Sequence, residues 1–222
     1  YELYRFDGYQ YTKSYPSFSK MSPTKRWIFY DMVSDKSGCL YVNTNNGIYK
    51  YDSFSNRLDS IAGPVAMLQM DAKGRLWVND EKHWGILDVE RGTISWPSYE
   101  GDNVGASVPV LALHQQEVYA FVYRKIYRYQ ETLGQFVTCA SLPDTSLGPI
   151  RFAMARAGKL WLYTWNGDLC RMDLSTYCVE EVFRPFAFPT DNSFLRAFYV
   201  SREEEIWFGT VDGVFIYHPI QN

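Results

Sequence analysis

The sequence has no apolar run long enough to cross a membrane as a helix. Its longest, near Val108 to Leu113, is interrupted by Pro109, and a spanning helix needs about 20 residues. No signal peptide is visible. The sequence opens on Tyr1 rather than Met, which reads as a processed or excised piece of something longer. It has no basic block: 22 Lys and Arg stand against 25 Asp and Glu, interspersed, for a net charge of −3. That excludes a nucleic-acid footprint. Histidine is scarce, and His83, His114 and His218 are far apart. The four cysteines, Cys39, Cys139, Cys170 and Cys178, form no CxxC pair, so a zinc site is not expected. GxGxxG, P-loop and GxSxG motifs are absent, which removes the common nucleotide-binding and hydrolase signatures. No cofactor, metal or catalytic residue is expected. Cys170 and Cys178 fall on consecutive predicted strands, and both a disulfide and two separate buried thiols remain open.

What the sequence does have is aromatic residues, 18% of the chain, with 18 Tyr, a residue type that favours strands. They recur in register. Lys73-Gly74-Arg75-Leu76-Trp77-Val78-Asn79 reads as a turn closing on Gly74 and then a strand, with Gly85-Ile86-Leu87-Asp88-Val89 running back. The same cassette stands at Gly38–Asp52, Glu117–Tyr129, Gly158–Leu169 and Glu205–Tyr217, with Tyr41, Tyr119, Trp161 and Trp207 in the place of Trp77. These anchors lie 36, 42, 42 and 46 residues apart, a period that indicates a propeller or related array. Trp77 is eight residues from its second-strand start where the others are six, so that hairpin tip carries a two-residue insertion.

The expected fold is all-β: a β-propeller of four-stranded antiparallel blades, about five, with split terminal blades. A single domain over 1–222 would place outer strands at 1–15, full blades at 26–61, 64–97, 107–140 and 150–183, and inner strands of a last blade at 194–218. Pro16 to Lys25 is read as a polar connection. The Tyr9–Tyr15 strand could complete the last blade and close a ring, or the chain could be an arc of a larger propeller, which would expose sheet faces and dimerise. The anchors are expected to pack between blades. The tips between second and third strands share one face with the blade-to-blade links, and exposed aromatics beside amides and charges there suit a sugar. The candidate ligand-binding residues are Trp27, Asn45, His83, Trp84, Tyr123, Arg124, Trp165 and Asp191. The alternatives are ordinary solvated loops, a protein-interaction propeller, and a polysaccharide lyase or hydrolase.

Asp71-Ala72-Lys73-Gly74-Arg75-Leu76-Trp77-Val78, Leu40 to Asp52 and Ile206 to Phe215 resemble the two-component regulator propeller repeat, and the likeness extends over nearly the whole chain. The third repeat has Gln116 and Lys125 where that pattern has glycines, and the fourth has Ala155 in place of the turn Asp. The resemblance implies the periplasmic sensor region of a bacterial hybrid two-component histidine kinase, a homodimer in its parent protein. Many members of that family respond to oligosaccharides. It carries no catalytic motif and transfers no functional residue.

Overall fold

A computed structural model describes residues 3–6, 8–14, 17–18, 27–52, 54–55, 57–101, 110–142, 147–185 and 195–219. These residues are all-β, without an α-helix, and are built of the small antiparallel sheets of propeller blades. The chain divides into two compact units, 1–97 and 98–222.

In the first unit, β1 (Leu3–Phe6) and β2 (Tyr11–Ser14) form a hairpin. β3 (Ser17–Phe18) follows, then β4 (Phe29–Ser34), β5 (Leu40–Thr44), β6 (Gly47–Asp52) and β7 (Arg57–Ala62), in sheet order β3-β7-β6-β5-β4. The next sheet is β8 (Met67–Met70), β9 (Leu76–Asn79), β10 (Trp84–Asp88) and β11 (Thr93–Ser95), an antiparallel meander. Inner strands β4 and β8 lie side by side over a core of Tyr41, Ile48, Leu68, Leu76, Val78 and Leu87.

The second unit opens with β12 (Ser98–Tyr99), then β13 (Val110–His114), β14 (Glu117–Val122), β15 (Lys125–Gln130) and β16 (Gln135–Ser141). β17 (Ile150–Arg156), β18 (Lys159–Thr164), β19 (Leu169–Asp173) and β20 (Val179–Phe183) form a four-stranded sheet. β21 (Leu195–Val200), β22 (Ile206–Thr210) and β23 (Gly213–Tyr217) form a three-stranded one. β13, β17 and β21 run beside one another in turn. One core joins the first two sheets around Phe121, Leu160 and Leu162, and another joins the last two around Trp161, Tyr163 and Phe208.

The stretch read as a polar connection contains β3, which pairs parallel with the outer strand β7; β12 pairs likewise with β16. A two-residue strand covering a sheet edge has no hydrophobic alternation to announce it, and it satisfies backbone groups that would otherwise invite foreign pairing. The two cysteines also part company. Cys170 stands opposite Leu162 and Val182 in the ladder, is buried, and has its thiol pushed up to about 12 by burial, then by the Asp168 charge. Cys178 is exposed beyond the β19–β20 turn, and both are free thiols.

β18 reads as an unbroken apolar run because neighbouring sheets cover both its faces, Leu160 and Leu162 lying in one core and Trp161 and Tyr163 in the other. Trp77 and Trp161 are fully buried, and Tyr41 and Tyr119 nearly so. Trp207 departs from the expected packing and is 37% exposed. Ile206 and Phe208 turn into the core shared with β18, which leaves Trp207 on the sheet's other face.

The inner turns differ where the repeats differ. Asp71 takes the Lys73 and Arg75 N–H groups on Oδ1 (both 2.9 Å) and the Trp77 Nε1–H on Oδ2 (2.9 Å). Asp35 binds Ser37 N–H, Cys39 N–H and the Tyr41 hydroxyl in the same way, and Ser201 Oγ binds Glu203 and Glu205 N–H. The β17–β18 turn is one residue shorter: Arg156 pairs with Lys159 around Ala157 and Gly158. Arg156, not Ala155, therefore stands opposite Lys159 as Asp71 stands opposite Arg75. Trp161 Nε1–H is buried without an acceptor. Replacing either Trp with Phe removes similar volume, but only the Trp77 change breaks a bond. Trp77→Phe is expected to destabilise by about 1–3 kcal/mol more than Trp161→Phe, read from paired urea unfolding curves; equal losses would contradict this role for Asp71.

Candidate functional site

The second-to-third-strand tips are closed by a repeated threonine. Thr44, Thr164 and Thr210 each accept at Oγ1 a backbone N–H, from Asn46, Asp168 and Asp212 (all 3.1 Å). Opposite each of these threonines the inner strand carries a β-bulge. Phe29, Ile150 and Leu195 pair with Thr44, Thr164 and Thr210, while Asp31, Phe152 and Ala197 pair with the residues just before them. One residue in each bulge has no cross-strand partner: Tyr30, Arg151 and Arg196. A bulge of this kind re-aims a side chain. The β8–β9 and β13–β14 ladders pair without one.

In the first unit this end holds a cleft of about 480 Å³, lined by Tyr30, Asn45, Pro64, Val65, Ala66, Asp80 and Glu81. Tyr30 is 53% exposed. Glu81 sits at the inserted tip with φ of 77°, a left-handed backbone that costs a non-glycine residue about 1–2 kcal/mol. Burial raises the Asp80 carboxyl, but bonds from the His83 and Lys82 N–H groups and the His83 side chain outweigh it and hold it below the usual carboxylate range. It is thus ionised at neutral pH and unsuited to general acid work. Another cleft of about 500 Å³ lies among the opposite turns, near Ser37, Lys50 and Asp59. Its Asp52 and Asp59 are bound by Phe54 N–H and Arg57.

In the second unit Trp165 stands at the β18–β19 tip, 51% exposed, with its backbone N–H on Pro149 O (2.9 Å). The Arg151 guanidinium lies 4.3 Å from its ring centroid and donates to Leu195 O, tying β17 to the start of β21. Burial, with the Arg196 charge adding to it and Tyr163 opposing, lowers the proton affinity of Arg151. Beneath them Asp168 is buried and receives Arg184 Nε–H (2.9 Å).

The expected site residues therefore divide. Asn45 and the tip carrying His83 belong to the first unit's cleft end, although Asn45 Oδ1 is engaged by Ile28 N–H (2.9 Å). His83 lies 3.6 Å from Asp80 and edge-on to Trp96. Trp27 is half-buried, edge-on to Tyr49 at 5.1 Å. Trp84 corrects the reading: it is fully buried, because the insertion leaves the tip at Asp80–His83 and lets Trp84 pair with Asn79 inside the ladder. Arg124 also turns inward, its guanidinium donating to Leu142 O (3.1 Å) while Leu142 N–H returns a bond to Arg124 O. Tyr123 and Trp165 are exposed at their tips. Asp191 lies outside the described residues. Tyr30, Arg151 and Arg196, the bulge residues, were not among the expected ones. Their common signal, one residue too many between inner strand and tip, shows only once the threonines are aligned.

No protein-family model and no curated protein matches the sequence. Solved structures do. The chain is similar to the extracellular domain assigned to the hybrid two-component system BT4673 of B. thetaiotaomicron, with TM-score 0.69 and 16% identity over 99% of this chain and 29% of that one. A further structure of the BT4673 domain, there assigned to a one-component system, gives TM-score 0.64 and 16% identity over 95% and 33%. The extracellular domain assigned to the hybrid system BT3049 of the same organism gives 0.59 and 20% over 86% and 28%. The chain thus spans about a third of each. At these identities the likeness is one of fold.

Proposed function

We propose that this chain is a ligand-sensing propeller segment from the periplasmic region of a hybrid two-component sensor histidine kinase, non-enzymatic itself, and that it recognises an oligosaccharide. The observation that carries the reading is Trp165: a half-exposed indole at a strand tip, with the Arg151 guanidinium held against it. An aromatic plane fixed in this way covers the apolar face of a pyranose, while nearby polar groups bond its hydroxyls. The solved neighbours support the sensor part of the reading, being extracellular domains assigned to signalling systems.

Calorimetry against a panel of oligosaccharides, with an assay for new reducing ends, tests it. One member is expected to bind without being cleaved, and Trp165→Ala is expected to weaken it by about tenfold or more with unchanged unfolding. Cleavage, or affinity indifferent to Trp165, would refute it. A protein-interaction reading has one observation in its favour: Tyr199, Trp207, Val214 and Ile216 are exposed on the last sheet. Saturable binding of a polypeptide with no sugar response would favour that reading.

A further inference from the structure

We infer that the sugar read in the second unit is acidic, a carboxylated or sulfated residue, and that Arg196 with Arg151 selects it. The inference rests on the sugar-sensing reading above and narrows it.

The two arginines occupy the same place in successive repeats. Each is the unpaired residue of the bulge that opens an inner strand, and β17 and β21 are neighbours. Arg151 donates to Leu195 O, the residue just before Arg196, so the Arg151 side chain reaches the backbone of the bulge that carries Arg196. Arg151 is half-buried, spread over Phe152 (5.3 Å) and Trp165 (4.3 Å). Arg196 is exposed, and no carboxylate among the described residues pairs with it. The Arg196 charge opposes that of the half-buried Arg151, and such repulsion is relieved when an anion binds near both.

The described carboxylates at the tips of these two sheets are otherwise placed. Asp168 is buried and bound by Arg184, and Asp212 belongs to the β22–β23 tip beyond Thr210. A guanidinium takes a carboxylate or sulfate through paired N–H donors, which fixes orientation as well as charge. The indole beside Arg151 supplies the plane on which the sugar ring lies. A neutral sugar would use that plane and leave Arg196 without a role.

The test is calorimetry on the intact chain with three probes: a hexuronate tetramer, the same tetramer with its carboxyls reduced to alcohols, and a sulfated oligosaccharide of similar length. One of the two anionic probes is expected to bind about tenfold or more tighter than the reduced tetramer, and to weaken as salt rises. Which of the two is tighter identifies the acid group. Arg196→Gln, a surface change that leaves folding intact by its urea midpoint, is expected to erase the margin while leaving the reduced tetramer's affinity as it was. If the reduced tetramer binds as tightly as the anionic probes and Arg196→Gln is silent, the acidic assignment falls and the sugar-sensing reading stands. If no probe binds and a wider neutral panel is also silent, both fall.

Discussion

Trp84→Ala is expected to destabilise the first unit by about 3–5 kcal/mol, whereas Trp165→Ala stays within about 0.5 kcal/mol of the parent. Trp84 follows and Trp165 occupies a second-to-third-strand tip, and by sequence they look alike. Trp84 has no solvent-exposed surface and stands in the ladder opposite Asn79, whereas half of Trp165 is in solvent. Truncating a buried indole leaves a void that a close-packed sheet cannot collapse into. The side chain of Asn79 is itself fully buried: its amide donates to His83 O (3.1 Å) and its oxygen accepts Glu81 N–H (2.8 Å). Losing Trp84 therefore loosens the inserted tip, and with it the Asp80 and Glu81 wall of the cleft. Urea unfolding of the two variants is the measurement. A Trp84→Ala protein as stable as the parent would mean that the indole does not fill that core.

The difference between these two tryptophans shows where sequence reading works and where it stops. These strands were legible because β9 and β18 are buried along their length, so that Leu76-Trp77-Val78 and Leu160-Trp161-Leu162 appear as apolar runs in register. The two-residue insertion after Trp77 was legible too: β9 and β10 are joined by four residues where β5 and β6 are joined by two. Which of the inserted residues would rejoin the ladder was not, since pairing depends on the partner strand and not on tip composition. The bulges escaped for a related reason. One extra residue in β4, β17 or β21 leaves the pattern on either side intact and merely shifts it, and Tyr30, Arg151 and Arg196 share no chemistry that would mark a common position. The expected site residues therefore do not share one environment: Tyr123 and Trp165 are exposed at their tips, whereas Trp84 lies inside the ladder. Arg124 was counted for its charge and is spent on Leu142, while Arg151, inside a predicted strand, was passed over.

Asp71→Ala is expected to destabilise by about 3 kcal/mol, in the range seen when one member of a buried charged pair is removed. Asp71 is 6% exposed, and the change removes the buried acceptor that binds Trp77 Nε1–H at 2.9 Å and Arg75 Nε–H at 2.6 Å. Asp71→Asn is expected to fall between parent and alanine. Its amide oxygen can still accept the Lys73 and Arg75 N–H groups, but its NH2 faces donors on the other side. Burial pushes the Asp71 carboxyl up, yet the bonds from Trp77, from Arg75 N–H and from the Arg75 side chain outweigh it and leave it lowered. A carboxyl lowered in the folded state stabilises above its unfolded value, near 3.9, and that contribution is lost as pH falls through the folded value. The gap between parent and Asp71→Ala should therefore stay constant from about pH 7 to pH 5 and narrow towards about pH 3. Unfolding curves at three or four pH values decide it: a gap that widens on acidification would reverse the sign, and one that never changes would mean that the carboxyl is not the group holding the turn.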